Sequence, residues 1–376
     1  LDRSSAASDV YKRQASGSIY YHATSAPGST EWVFAPGAQG EVALLAAGGL
    51  YGGGLRTSMS GADPARVPTV DRPAYAAAWN NGQIQSTNAT GLEGGLFAFG
   101  VNSAGGRGPV ANAGIARFYA GGDIVGLQTG STPAFAAGPE YHAARPVSIQ
   151  AGGDIVNLKA LILNQQPTDV SRIVAGRDIL YANVDIAGPG WLEVTAGRNL
   201  TQEDKGRLTS LGLLDGGPAT GKGGAGIVAS AGGQGDYTAL ARRYLDPANR
   251  ADPGQPLAGQ AGKTVKTYEG ELADWLRTLH GYNGPADGAR AYFDALPAEQ
   301  QRVFLRQVYY AELTAGGREY NDTAGPRAGS YARGRQAIAT LYPDADAQGR
   351  PIRYQGDITL FLSLIHISEP TRLLSI

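Results

Sequence analysis

Residues 147–158 read VSIQAGGDIVNL, and the phrase returns with small changes as RFYAGGDIVGL at 117–127, SRIVAGRDILYA at 171–182 and LEVTAGRNLTQ at 192–202. Each copy is a short alternating stretch followed by Ala-Gly, then Gly or Arg, then Asp or Asn, then Ile or Leu. From Gly121 the leading glycines Gly152, Gly176 and Gly197 follow at spacings of 31, 24 and 21 residues. Two of these spacings are shorter than the ~30 residues of a βαβ unit. They are close to the ~20–25 residues of one coil in a stacked repeat. The pattern predicts a mainly β protein, a right-handed parallel β-helix (solenoid).

Every position of the phrase has a physical task in such a coil. The alternation Val147-Ser148-Ile149-Gln150 and Leu192-Glu193-Val194-Thr195 sends one face inward and one to solvent. Ala-Gly makes a sharp corner, with Gly expected there for its access to positive φ. Ile124, Ile155, Ile179 and Leu200 then return an aliphatic side chain to the interior and would stack as a ladder. Asp123, Asp154, Asp178 and Asn199 read as corner residues whose short side chains accept backbone N–H bonds. A column of carboxylates for calcium or catalysis is the competing interpretation. Carboxylates ~4.8 Å apart repel unless paired, and Asn199 shows that charge is dispensable at one step.

Degenerate copies extend the repeat in both directions. ALLAAGGLYGG at 43–53 carries a corner at Gly48, and RYQGDITLF at 353–361 carries Gly356 and Asp357. GSIYYHATS at 17–25, TEWVFAPG at 30–37 and GEVALLAAGG at 40–49 are strand candidates between Gly and Pro turns, and a loop is expected near Met59–Gln83.

From about Gly235 the period changes from two to that of a helix. Tyr237, Leu240, Tyr244 and Leu245 form one apolar stripe, and Leu272, Trp275, Leu276 and Leu279 a second. A third helix begins after Pro297 and carries Val303, Phe304, Val308 and Tyr309; a fourth runs toward Pro343. An α-helical insert near the C-terminus follows. The layout expected is coils over 15–215, a Gly/Pro-rich linker with one short helix over 216–262, a helical module over 263–345 and a return to the β-helix over 351–361.

The two ends differ in style. SSAASDVYKRQ at 4–14 and LSLIHISEPTRLLSI at 362–376 resemble translated sequencing-adaptor read-through, so 1–14 and 362–376 are set aside as artefact, with His366, Ser368 and Glu369. Position 1 is Leu rather than Met, which reads as an internal fragment.

Composition narrows the function classes. Of 376 residues 55 are Gly, which together with 42% hydrophobic residues describes a folded chain rich in tight turns. Length alone would suggest about two to three domains, unless the chain is a repeat that grows without new ones. With no Cys there is no disulfide, thiol nucleophile or thiolate metal site. A formal charge of −1 gives no electrostatic reason to expect nucleic acid or an anionic membrane, and no apolar run approaches the ~20 residues of a membrane span.

Several patterns imitate sites. Gly216–Lys222 fits G-x-x-x-x-G-K, but Gly223 replaces the Ser or Thr that would hold Mg²⁺, and Gly221–Gly226 fits G-x-G-x-x-G with no helix after it. Asp344-Ala345-Asp346-Ala347-Gln348-Gly349 opens like an EF-hand loop, yet Gln355 stands where the bidentate Glu belongs. His22, His142 and His280 are not spaced as ligands, and Glu269 and Glu271 suit a helix start. Tyr20, Tyr21, Tyr309, Tyr310 and Tyr320 are candidates to stack on sugars, with packing as the alternative. No catalytic residue, cofactor or metal is expected.

The strings ALARRYLDPAN at 239–249, LPAEQQRVFLRQVYYAEL at 296–313, GGREYND at 316–322 and GSYARGRQAIATLYP at 329–343, with the coils and the closing GDITLF, resemble the C-terminal region of filamentous haemagglutinin-like exoproteins. These are surface adhesins of Gram-negative bacteria exported by two-partner secretion. The resemblance covers about 15–361 and implies a non-catalytic, extracellular or surface-attached shaft. It also implies an outer-membrane two-partner transporter and an unspecified host or bacterial surface glycan or protein as partners. Two competing readings stay open. One is a β-helical polysaccharide lyase or hydrolase, in which Asp123, Asp154 and Asp178 would converge with Arg172 or Arg177 in a cleft. The other is a helical module that binds a partner of its own.

Overall fold

A computed structural model describes residues 11–22, 30–34, 42–53, 55–59, 79–80, 83–84, 115–126, 140–143, 145–164, 166–203, 205–211, 224–233, 235–346, 348–352 and 356–360. The chain divides into a β unit, comprising 1–165, 171–233 and 355–376, and a helical unit of 166–170 and 234–354.

The β unit is a parallel solenoid with three sheets. The first contains seven strands: Tyr11–Ala15, Val42–Ala46, Ala116–Ala120, Val147–Ala151, Val170–Ala175, Trp191–Ala196 and Gly226–Ser230. The second runs from Ile19–His22 through Leu50–Gly53, Ile124–Gly126, Ile155–Val156, Ile179–Leu180 and Leu200–Glu203 to Ile358–Leu360. The third holds six strands, from Thr30–Phe34 to Arg207–Ser210. Each coil visits the sheets in that order, so every strand of these three sheets pairs in parallel with its counterparts one coil away, while Trp79–Asn80 and Gln83–Ile84 form a separate antiparallel pair.

Register turns the sequence repeat into columns. Leu50, Ile124, Ile155, Ile179 and Leu200 face one another across successive coils, and each is fully buried. Leu44, Phe118, Ile149 and Ile173 form a second buried column on the first sheet. Burying one such side chain is worth ~1.5–3 kcal/mol, so the ladder is the main cohesive element of the shaft.

The corner glycines are required for a different reason from the one expected. Gly121, Gly152, Gly176 and Gly197 are not among the residues with positive φ. Instead a Cβ on each would stand under 3.0 Å from a carbonyl oxygen of the preceding coil: Ala47, Gly121, Gly152 and Gly176 respectively. Close stacking of backbone on backbone excludes any side chain there. Positive φ is found one corner further on, at Asn157 (54°), Tyr181 (58°) and Glu203 (44°), where the short second-sheet strands end.

Residues 11–14, set aside by style, form most of the strand Tyr11–Ala15, which pairs with Val42–Ala46. Pairing draws on main-chain groups, so an unrelated sequence can extend a sheet edge. Residues 1–10, 361–376 and most of the loop expected at Met59–Gln83 lie outside the described residues.

The helical unit contains α1 (Tyr237–Tyr244), α2 (Glu269–His280), α3 (Ala289–Asp294), α4 (Ala298–Asn321) and α5 (Ala332–Leu341). It takes in 234–262, which the sequence pattern assigned to a linker, because α1 belongs to its core: Leu240 and Tyr244 are fully buried. Asp236 caps α1 by accepting the Ala239 N–H at 2.8 Å. Trp275, Phe293 and Phe304 pack with ring centroids 5.4–6.3 Å apart. Gly316 on α4 faces the Gly334 backbone on α5, closer than a Cβ would allow, so the two helices cross through these glycines.

Candidate functional site

The corner residues form a continuous polar ladder. Asp123 Oδ1 accepts the Asp154 N–H at 2.8 Å, Asp154 Oδ1 the Asp178 N–H at 3.0 Å, Asp178 Oδ1 the Asn199 N–H at 3.0 Å and Asn199 Oδ1 the Asp357 N–H at 3.1 Å. Each side chain therefore caps the next coil rather than its own turn. One coil earlier Ser18 Oγ takes the Gly49 N–H at 3.0 Å, so a hydroxyl serves the same purpose. Asn199 keeps the acceptor without the charge, which is why it fits the column.

Two arginines offset most of the column's charge. Arg177 lies 2.9 Å from both Asp123 and Asp154, and Arg198 lies 2.6 Å from Asp178. Partial burial opposes ionisation of Asp154, but the Asp178 N–H and the Arg177 guanidinium outweigh it and hold its carboxyl below the usual range. The Asp154 bonds raise the Arg177 pKa in turn. Arg177 and Arg198 occupy the position that is Gly122 and Gly153 in earlier copies. That change from Gly-Gly to Gly-Arg was the available signal for the pairing.

Arg172 belongs to another column, 3.6 Å from Glu193. Asp123, Asp154 and Asp178 thus meet Arg177 and Arg198 at stacked corners, and their oxygens already hold main-chain N–H groups and guanidiniums. A carboxylate so engaged is poorly matched to proton transfer, which needs a pKa near the working pH.

Gly356 and Asp357 complete a corner that is split in the chain. Ala231-Gly232-Gly233 ends the last first-sheet strand, and Gly356-Asp357-Ile358 opens the last second-sheet strand. The Gly232 N–H donates to Arg198 O at 2.8 Å, and the Leu200 N–H donates to Asp357 O at 2.9 Å. The helical insert interrupts the phrase Ala-Gly-Gly-Asp-Ile inside itself.

The remaining patterns find ordinary partners. Gly221–Gly226 runs into the strand Gly226–Ser230, and 212–223 lie outside the described residues. In the EF-hand-like stretch Arg350 takes a cation's place, its Nε 2.7 Å from Asp346 Oδ2, while Asp346 Oδ1 accepts the Arg350 and Gln348 N–H groups. These bonds, that of the Arg350 N–H foremost, hold the Asp346 carboxyl low. Glu269 accepts from Thr267 Oγ1, and Glu271 pairs with Lys266. His280 packs on Trp275 at 4.7 Å, and burial lowers its pKa. The side chains of His22, His142 and Tyr21 lie outside the described residues. Tyr20 stacks on Tyr51 of the next coil at 5.4 Å, and Tyr310 and Tyr320 are exposed. Tyr309 is half-buried, its pKa raised to about 12 by burial and by the neighbouring tyrosines.

No sequence pattern marks a buried ion pair in the helical unit. Glu312 on α4 is fully buried and receives two bonds from Arg333 on α5, at 2.6 and 2.8 Å, and one from the Tyr268 hydroxyl at 2.6 Å. Burial works against the Arg333 charge, but the Glu312 bonds outweigh it and raise its pKa. Burial and the Glu312 bond raise that of Tyr268.

Among the described residues no group of three or more His, Asp or Glu is placed to hold a metal. No helix among them is long and apolar enough to cross a membrane. Comparison with family models, curated proteins and solved structures finds no match to this chain. The sheets and helices define a repetitive parallel β-solenoid protein carrying a helical module.

Proposed function

We propose that the chain is a structural, non-catalytic segment of a large extracellular bacterial adhesin, exported by two-partner secretion through an outer-membrane transporter. The observation that carries this reading is the corner ladder. The polar groups that an enzyme would turn toward substrate are committed here to holding one coil on the next. Such a rod lengthens by about 4.8 Å per coil through main-chain pairing. It gains cohesion without a disulfide, in keeping with a chain that has no Cys. Each coil can form on the one before it, which suits a protein that folds as it emerges from a pore. The family resemblance supports the export route, since its strings fall on α1, α4 and α5 and on both sides of the split corner.

The test is antibody labelling of intact cells of the source bacterium, with antibody raised against the purified chain. Labelling without permeabilisation, removed by external protease and lost on deletion of the partner transporter, is expected. Labelling only after permeabilisation overturns the reading. Depolymerisation of an acidic polysaccharide by the purified chain, abolished by Asp154→Asn, would favour the enzyme instead.

A further inference from the structure

We infer that Asn283 is a site of spontaneous covalent modification, its side-chain amide converting through a cyclic imide to aspartate and isoaspartate. The reaction needs an asparagine open to water and an amide that no hydrogen bond holds. It also needs a following residue with no side chain to hinder ring closure and a main-chain N–H that is not engaged. Asn283 and Gly284 lie between α2 and α3, and Asn283 is exposed. Among the described residues the Asn283 side chain has no hydrogen-bond partner, and the Gly284 N–H meets no main-chain acceptor.

Other asparagines lack these conditions. Asn157, Asn164, Asn183 and Asn249 donate their amide hydrogens to main-chain carbonyls, and Asn199 Oδ1 accepts the Asp357 N–H. Each is followed by a residue with a side chain. The same connection holds its own control in Asp287–Gly288, the aspartate form of the pair. There the Gly288 N–H donates to Pro285 O at 3.1 Å within the 3₁₀ turn Ala286–Gly288, which ties up the nucleophile.

The fold itself demands the residue that makes Asn283 reactive. The Tyr282 ring packs on Tyr292, and its hydroxyl donates to Pro285 O at 2.7 Å. A Cβ at 284 would stand under 3.0 Å from that oxygen, so only glycine fits while the bond is in place. In the reaction the Gly284 nitrogen gives its proton to solvent and attacks Asn283 Cγ. The Cγ–Nδ2 bond breaks, and ammonia leaves with a proton from water. Water then opens the imide, at Cγ to give aspartate or at the main-chain carbonyl to give isoaspartate. Either product adds a negative charge, and isoaspartate also adds a methylene to the main chain inside the turn that Tyr282 closes. The connection between α2 and α3 therefore loosens as the protein ages.

The experiment ages the full chain in H₂¹⁸O buffer and maps its tryptic peptides by mass spectrometry, the label separating ageing from changes during digestion. Peptide 278–290 contains both Asn283 and Asp287, whereas Asn81–Gly82, outside the described residues, falls in another. Labelled aspartate and isoaspartate should accumulate at 283, with Asp287 unchanged. Asn283→Gln, whose longer arm disfavours ring closure, should lose the modification. Hydrogen exchange over 278–288 should quicken in the aged parent and not in aged Asn283→Gln. An Asn283 that stays intact while the urea-unfolded chain converts, isomerisation of Asp287 at an equal rate, or unchanged exchange in the modified parent would each overturn the inference. Surface location of the chain is unaffected by any of these results.

Discussion

Gly356 lies against the backbone of Gly232, so close that a Cβ on Gly356 would stand under 3.0 Å from the Gly232 nitrogen and from Arg198 O. The two glycines belong to opposite halves of one corner. Gly356→Ala should therefore destabilise the last coil by ~2–3 kcal/mol through forced backbone displacement. Gly152→Ala, which meets Gly121 O in the same way, should cost a similar amount, whereas Gly270→Ala in α2 has open space and should stabilise by ~0.5–1 kcal/mol. Urea unfolding of the three variants checks the contrast; an unperturbed Gly356→Ala would contradict the stacked corner.

At the ladder, the acceptor matters more than the charge. Asp154→Asn retains an oxygen for the Asp178 N–H, as Asn199 does naturally for Asp357, while Asp154→Ala leaves that N–H without a partner. The alanine variant should lose ~1–2 kcal/mol and the asparagine variant less. Amide exchange at Asp178 should quicken in the first and stay slow in the second.

Acid should loosen the same column. The folded Asp154 pKa lies below the ordinary carboxylate value. A carboxylate depressed by folding contributes its stability fully above the unfolded value and loses it as pH falls through the folded one. The parent should accordingly weaken below about pH 4 more steeply than Asp154→Asn, the two curves converging as pH falls through the folded value. Urea midpoints measured downward from about pH 5 provide the measurement; parallel curves would rule out the linkage.

In the helical unit, removing one member of the buried pair should be severe. Glu312→Gln leaves Arg333 with Glu319 alone, 3.0 Å away, and should cost about 3 kcal/mol, while Glu312→Leu combined with Arg333→Met should recover part of the loss. Hydrogen exchange over α4 and α5 reports the effect locally, and equal losses in the single and double variants would refute it.

The solenoid was legible because its interior columns recur at coil spacing and its corner phrase is nearly invariant in residue type. The helices were legible from the stripes around Leu240, Trp275 and Val308. Two features were hidden for physical reasons. The role of the corner carboxylates depends on contacts between coils, which spacing suggests but does not orient. It took the three-dimensional stack to show that Asp154 caps the following coil and that Arg177 reaches two carboxylates at once. The first half of the split corner, Ala231-Gly232-Gly233, lacks its own Asp-Ile in sequence, so no local pattern marks it. Glu312 and Arg333 lie on separate helices with unremarkable neighbours, and only packing reveals that they are buried together.

The split corner lets the coils keep their register across a long insertion. Gly232 and Gly356 hold the two ends of the interruption side by side, and the coils on which they rest are specified by residues elsewhere. A folded domain whose termini meet at that distance could replace 234–355 once the 166–170 segment, which belongs to the helical unit, is rebuilt with it. The joint behaves as a graft point, where cargo can be exchanged over evolutionary time, or by design, while the supporting stem stays the same.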